Sequence, residues 1–171
     1  MLYSKRIIMV NKILIVYYSL TGNTHLIAEA IKEQTGADVE RLKPIKDLDS
    51  ESGTRFFWGG MHAKMKQKPK LEPLEYDPND YDLVFLGTPV WAWTLTPPIR
   101  SYFEMNDLST KNLAIWNCAA GNGVKAMQRL KKELQNCNIV GENTFTEPLK
   151  NDPDGEVKRA KEWAAEIINS L

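Results

Sequence analysis

Six residues between an apolar run and an amphipathic segment carry hydrogen-bonding groups but no charge. Ser19, Thr21 and Thr24 supply hydroxyls, Asn23 supplies an amide, and Gly22 lets a ligand approach the backbone closely. A helix that begins here adds unpaired N–H groups and the positive end of its dipole. Because one hydroxyl is enough to cap a helix, this set of donors favours a phosphate-binding loop over capping alone.

Two later segments have compositions that suit a flat aromatic ligand. Segment 88–94 contains two indoles that could stack on a ring, although either one could equally pack under the following helix. Segment 119–123 is small enough for its backbone N–H groups to reach ring carbonyls. A phosphate at one end and a planar hydrogen-bonding ring at the other describe flavin mononucleotide (FMN). The predicted cofactor-binding residues are Ser19, Thr21, Gly22, Asn23, Thr24, Thr88, Pro89, Val90, Trp91, Ala92, Ala119, Ala120, Gly121, Asn122 and Gly123.

The elements around these segments explain how they could meet. Hydrophobic periodicity predicts strands over 13–18, 37–42, 81–87, 112–117 and 139–145. It predicts helices over 23–35, about 53–66, 97–104, 124–134 and 152–171. Alternating strands and helices form a parallel sheet with helices on both faces, and such sheets bind ligands beyond the carboxyl ends of their strands. All three segments follow such strand ends.

Three stretches resemble the flavodoxin family: IVYYSLTGNTHLIA, GTPVWAWTLTPPIRSYF and CAAGNG. The resemblance covers nearly the whole chain from Lys12. It implies an α/β three-layer sandwich around a five-stranded parallel sheet of order 2-1-3-4-5, as one domain over 12–171 preceded by an N-terminal extension, 1–11. It also implies that the first loop holds the FMN phosphate, that 89–92 lie along the isoalloxazine ring, and that 120–123 lie along its pyrimidine edge.

The chain departs from electron-shuttle flavodoxins in two ways that bear on function. Those proteins are strongly acidic, whereas this chain has 22 basic and 22 acidic residues and a formal net charge of zero. Its third loop also lacks the tyrosine that commonly covers the outer ring face, which predicts an open flavin. The segment 55–74 is long for the family, and Phe56, Phe57 and Trp58 either cover part of the flavin or pack in the core. The basic residues of 55–70 are interpreted as a solvated surface.

Several classes of function are disfavoured by the sequence. A neutral chain does not suit nucleic acid as the main partner. Neither a triphosphate P-loop nor a G-x-G-x-x-G motif follows the first predicted strand. Cys118 and Cys137 match no zinc pattern and are expected to be reduced thiols, and no metal site is predicted. The N-terminus lacks the features of a secretory signal and no apolar run could span a bilayer, so we expect a cytoplasmic protein.

These observations predict an FMN-binding redox protein that works as a monomer or homodimer. Two versions remain open: electron transfer to a redox partner protein, or NAD(P)H-linked reduction of a small quinone-like acceptor. An uncharged site around the pyrimidine would lower the flavin potential. His25 either touches the phosphate or lies exposed on its helix, and no side chain is assigned a catalytic role. The alternative from another class is a flavodoxin-fold interaction module that does not retain FMN.

Overall fold

The computed structural model describes residues 12–47 and 55–171, without the side chains of 55–58. The predicted extension over 1–11 and the roles proposed for Phe56, Phe57 and Trp58 therefore lie outside the described part. The strands are β1 (Ile13–Tyr17), β2 (Asp38–Arg41), β3 (Leu83–Pro89), β4 (Asn112–Ala119) and β5 (Asn138–Thr146). The helices are α1 (Asn23–Thr35), α2 (Arg55–Lys64), α3 (Pro97–Met105), α4 (Val124–Glu133), α5 (Pro148–Asn151) and α6 (Pro153–Ser170).

The five strands form one parallel sheet in the order β2-β1-β3-β4-β5, which confirms the predicted fold. The order reverses between β1 and β3, so the chain leaves these neighbouring strands in opposite directions. A crevice opens at such a point beyond the carboxyl ends of the strands. The loops after β1 and β3 therefore begin side by side.

Side chains that alternate along the central strands fill two separate cores. Ile15, Tyr17 and Phe85 pack on the face covered by α1 and α6, and Leu14 and Val16 pack on the face covered by α3 and α4. Both faces of β1, β3 and β4 are buried, which explains why these strands have continuous apolar sequences rather than alternating ones. The two cores fix the carboxyl edge of the sheet and hence the starts of the loops.

The structure extends β3 and β4 by two residues beyond their predicted ends. Thr88 and Pro89 continue β3 opposite Asn117 and Cys118 of β4, because backbone pairing continues after the apolar run has ended. The short helix α5 was not predicted. The Val124 side chain at the start of α4 is half exposed, whereas Ala126, Met127, Leu130 and Leu134 are buried. Val124 lies in the first turn of α4, where it lines a surface groove together with residues 119–123.

We predict that Tyr102→Phe will flatten the alkaline loss of stability. The Tyr102 hydroxyl is fully buried without a hydrogen-bond partner in the described ranges, and burial raises the pKa of Tyr102 well above 10. Above about pH 10 the unfolded chain loses this proton and the folded chain keeps it, so the free energy of unfolding falls as pH rises, by up to about 1.4 kcal/mol per pH unit. Urea unfolding at pH 8 and pH 10.5 checks this. Equal pH slopes for the variant and the wild type would contradict the prediction.

Candidate functional site

The three predicted loops come together at the carboxyl edge of the sheet, where they line two adjoining grooves. The first groove has a volume of about 370 Å³ and the second about 600 Å³. Val90, Ala119 and Ala120 line both grooves, which makes them one continuous depression. The first groove is lined by Leu20, Thr21, Asn23, Pro89, Val90, Trp91, Cys118, Ala119, Ala120, Glu147, Leu149 and Lys150. The second is lined by Val90, Ala92, Trp93 and residues 119–126.

The loop after β1 is organised by Ser19. Its buried Oγ accepts hydrogen bonds from the backbone N–H groups of Gly22 and His25, both at 3.2 Å. Gly22 has φ +95°, a left-handed conformation that favours glycine. Within the described ranges, the N–H groups of Asn23 and Thr24 have no acceptor, and both point out of the first turn of α1. The loop therefore presents free donors at a helix N-terminus.

Thr24 adds a further unused donor to this loop. Its side chain is fully buried, and its Oγ1 lacks a hydrogen-bond partner of ordinary geometry among the described residues. The adjoining Cys118 thiol is only a weak partner. A buried hydroxyl without a partner is costly unless another group completes it. Together with the free amides of Asn23 and Thr24, this hydroxyl fits a phosphate monoester.

The loop after β3 turns sharply and separates its two indoles. Trp91 and Thr94 exchange backbone hydrogen bonds of 3.0 Å, and both Ala92 and Trp93 have positive φ, as in a two-residue type I′ turn. Trp91 is half-buried against Tyr18, edge-on at 5.6 Å, and faces the first groove. Trp93 is 62% exposed and lines the second groove. One indole is therefore partly core and the other stands at the rim.

Thr88 lies beneath this loop rather than in either groove. Its side chain is buried, and Oγ1 donates to the carbonyl of Pro89, 2.9 Å away, and accepts from the N–H of Thr96, 3.2 Å away. These bonds connect the end of β3 to the residue before α3. Thr88 therefore stabilises the conformation of the loop after β3.

The loop after β4 is held from below by Asn117. This fully buried side chain donates from Nδ2 to the carbonyl of Gly123 at 3.2 Å. Gly123 has φ +64°, and a Cβ there would lie 2.4 Å from Asn117 Oδ1. The residues before it, 120–122, are exposed on the second groove. The loop itself is uncharged as expected, but Lys125 lines the same groove and brings a positive charge to its wall.

A fourth segment, 147–150, completes the first groove and was not predicted. Glu147 donates its backbone N–H to the carbonyl of Ala119, and Leu149 donates its own to Asn23 Oδ1, both at 3.0 Å. Lys150 Nζ lies 3.4 Å from Glu147 Oε2, which places an ion pair on this groove. Pro148, at the first position of α5, was the available sequence signal, because proline commonly begins a helix.

His25 and Arg41 support the first loop. His25 Nδ1 lies 2.6 Å from the Tyr17 hydroxyl and the two rings stack, so this histidine is half-buried rather than exposed on its helix. Burial raises the pKa of Tyr17 to about 12, which keeps the phenol proton in place. Arg41 Nη2 donates to the Ser19 carbonyl at 3.2 Å. The guanidinium of Arg41 therefore places a positive charge next to the loop after β1, which has no charge of its own.

Neither cysteine forms a disulfide, and burial raises the pKa of the Cys118 thiol to about 12. In the ranges 12–47 and 55–171, no cluster of His, Cys, Asp and Glu side chains could hold a metal ion. Among the helices described, none is long and apolar enough to cross a membrane.

Comparison with known proteins agrees with this geometry. The family model for flavodoxins matches residues 12–152. Among solved structures, a candidate flavoprotein from Bacteroides eggerthii superposes with a TM-score of 0.73 at 22% identity, covering 91% of this chain and 97% of that one. A Lactobacillus acidophilus flavoprotein solved in complex with FMN gives 0.67 at 21% identity, covering 81% and 95%.

A third solved structure, oxidised flavodoxin 2 from Bacillus cereus, has a TM-score of 0.59 at 20% identity and covers 94% of this chain and 100% of that one. At these identities the solved structures show a shared fold. The match of the family model over most of the sequence goes further. The chain belongs to the flavodoxin family, a family of FMN-binding redox flavoproteins.

Proposed function

We propose that this protein is an FMN-dependent oxidoreductase that passes two electrons from a nicotinamide nucleotide to a small quinone-like acceptor. The observation that carries the proposal is the open second groove, whose third-loop wall consists of small, exposed residues. A ring bound there would remain accessible to small molecules. The FMN bound to the Lactobacillus acidophilus relative supports the choice of cofactor. When bound, FMN supplies the electron chemistry, and the protein supplies binding, orientation and electrostatics.

The described residues divide into two sets of proposed contacts. The amides of Asn23 and Thr24, with the hydroxyls of Thr21 and Thr24, would hold the phosphate at the first groove. Toward the second groove, Val90 and Ala92 would pack against the ring, and the backbone of 120–123 would reach its pyrimidine edge. Trp91 would border the ring from the first groove.

Titration with FMN and reduction kinetics test the proposal in two stages. Purified protein should be yellow, or should become so with stoichiometric FMN, and the bound flavin should then be bleached by NADPH or NADH in stopped-flow mixing. A protein that ignores added FMN would contradict the cofactor assignment and favour an interaction module. Tight FMN binding without direct reduction would instead favour electron transfer to a redox partner protein.

We also infer that the protein acts in the cytoplasm as a monomer or homodimer. The zero formal net charge supports a small-molecule acceptor over nucleic acid as the main partner. Size-exclusion chromatography with light scattering measures the oligomeric state.

Lys125→Gln should lower the midpoint potential of the bound flavin. The ammonium group stands on the wall of the second groove, where it would favour negative charge on the reduced ring. Because the group is exposed, we expect a shift on the order of 10–30 mV. Potentiometric titration at low salt measures the shift, and Lys158→Gln on α6 is the matched control. A potential that is equal in Lys125→Gln and wild type would contradict the prediction.

A further inference from the structure

A third concave surface adjoins the flavin site on the side of α3 and α4. It has a volume of about 720 Å³ and lies between the end of α2, the turn at 91–94 and the facing side of α4. Five cationic side chains and one carboxylate line it among the described residues: Lys64, Lys66, Arg100, Arg129, Lys132 and Glu133. We call this surface the basic cleft.

Arg100 forms the rigid floor of the basic cleft. Arg100 is 4% exposed, and its guanidinium donates to the carbonyls of Ala63 and Leu95 and to Thr94 Oγ1. Its Nε and Nη2 both lie 3.2 Å from Glu133 Oε1. These bonds join the end of α2, the turn, α3 and α4, and they also neutralise the charge of Arg100. The only carboxylate that lines the described cleft, that of Glu133, is therefore already paired with Arg100.

The other four cations are not paired with any carboxylate that the structure describes. In the described ranges no carboxylate lies within 4.0 Å of Lys64, Lys66, Arg129 or Lys132. Among the residues with described positions, Arg129 donates only to two backbone carbonyls, those of Ala92 and Trp93. Four uncompensated cations on one concave wall are notable in a chain whose formal net charge is zero, because a cleft concentrates the field of its charges.

The basic cleft and the second groove share a wall. Ala92 and Trp93 line both, and Arg129 fixes their carbonyls, at 3.4 Å and 3.1 Å. An anion held in the cleft would therefore lie one turn of backbone away from the groove proposed for the flavin ring. The 62% exposed Trp93 indole offers a flat surface between the two.

We propose that the basic cleft binds the pyrophosphate of the nucleotide electron donor, while the donor's ring passes Trp93 to reach the second groove. The donor assignment rests on the proposed function, whereas the anion site does not. Lysine ammonium groups supply point charges to phosphate, and the free N–H groups of Arg129 supply directed donors. The negative charge of a pyrophosphate complements the positive charge of the cleft. Because the cleft shares a wall with the second groove, a pyrophosphate bound there would lie next to the proposed ring site.

The anion site is tested with inorganic pyrophosphate and ¹⁵N–¹H spectra of the apoprotein and of the FMN-titrated protein. We expect saturable shifts at Lys64, Lys66, Trp93 and Arg129 in both. Lys64→Gln/Lys132→Gln should weaken this binding by about tenfold. Lys32→Gln/Lys158→Gln removes the same charge from α1 and α6, which cover the other face of the sheet, and should leave the binding unchanged.

Three outcomes would overturn the anion site: no saturable shift, shifts confined to Thr21–Thr24, or equal weakening in both double variants. A protein that shows no flavin absorbance but keeps the cleft shifts would refute the proposed function and leave the anion site standing. For the donor, Lys64→Gln/Lys132→Gln should raise the KM for NADPH about tenfold with little change in kcat. An unchanged KM would overturn the assignment of the cleft to the donor.

Discussion

Thr24→Val is expected to weaken FMN binding by about 10- to 100-fold, which corresponds to the roughly 1.5–3 kcal/mol of a hydrogen bond to a charged group. The variant keeps the shape of the side chain and removes only Oγ1. That atom is buried without an ordinary partner in the described structure, so it contributes little to the folded apoprotein. Its hydrogen bond is available only when a phosphate reaches the first turn of α1.

The same change should leave the stability of the apoprotein equal or slightly higher. Replacing an unsatisfied buried hydroxyl with a methyl group removes a desolvation cost. This opposition between affinity and stability separates phosphate binding from helix capping, since a lost cap would lower the free energy of unfolding by about 1 kcal/mol. The structure already argues against capping by Thr24, because Ser19 accepts the bonds from Gly22 and His25.

Fluorescence titration with FMN and urea unfolding of the apoprotein measure the two quantities. Thr110→Val, in an exposed turn away from the grooves, is the control and should change neither one. If Thr24→Val lowered stability and kept full affinity for FMN, the hydroxyl would be structural and the phosphate assignment of this residue would be wrong.

The sheet and its loops were predictable because their signals are local. The apolar run before Ser19, the donors after it and Gly22 all stand within about ten residues, and the same holds for the loops that follow β3 and β4. Strand order followed from resemblance and was confirmed. Local sequence also set the approximate helix bounds. The strands β3 and β4 run further than predicted, because the pairing between Thr88 and Asn117 does not depend on apolar side chains.

The parts that were missed depend on contacts between residues far apart in the chain. Leu149 meets Asn23 across 126 positions, and nothing near either residue indicates that contact. The basic cleft arises likewise, because Lys64 and Lys66 read as part of a solvated surface until Arg129 and Lys132 of α4 face them. The role of Thr88 was also beyond the sequence, since only the fold shows that its hydroxyl turns inward.

Gly87→Ala is expected to destabilise the protein by about 1–3 kcal/mol, as overpacking of a filled core does. Gly87 of β3 stands opposite Trp116 of β4, whose side chain is fully buried. A Cβ at Gly87 would lie 2.1 Å from Trp116 Cζ2, and neither backbone strand of the central sheet can shift without disturbing the cores. The indole must therefore tilt against the helices that cover it.

The effect should extend to the proposed flavin site, because Thr88 and Pro89 follow directly and carry the loop that borders both grooves. We expect Gly87→Ala to lower FMN affinity along with the urea midpoint, in contrast to Thr24→Val, which separates the two. Gly121→Ala is the matched control for stability alone, since a Cβ there meets no atom within 4 Å of the described structure, whereas its loop belongs to the proposed ring site. Urea unfolding followed by Trp fluorescence, with FMN titration, measures both effects. If Gly87→Ala were as stable as Gly121→Ala, the indole of Trp116 would have room to move, and the spacing of β3 and β4 would not depend on a glycine.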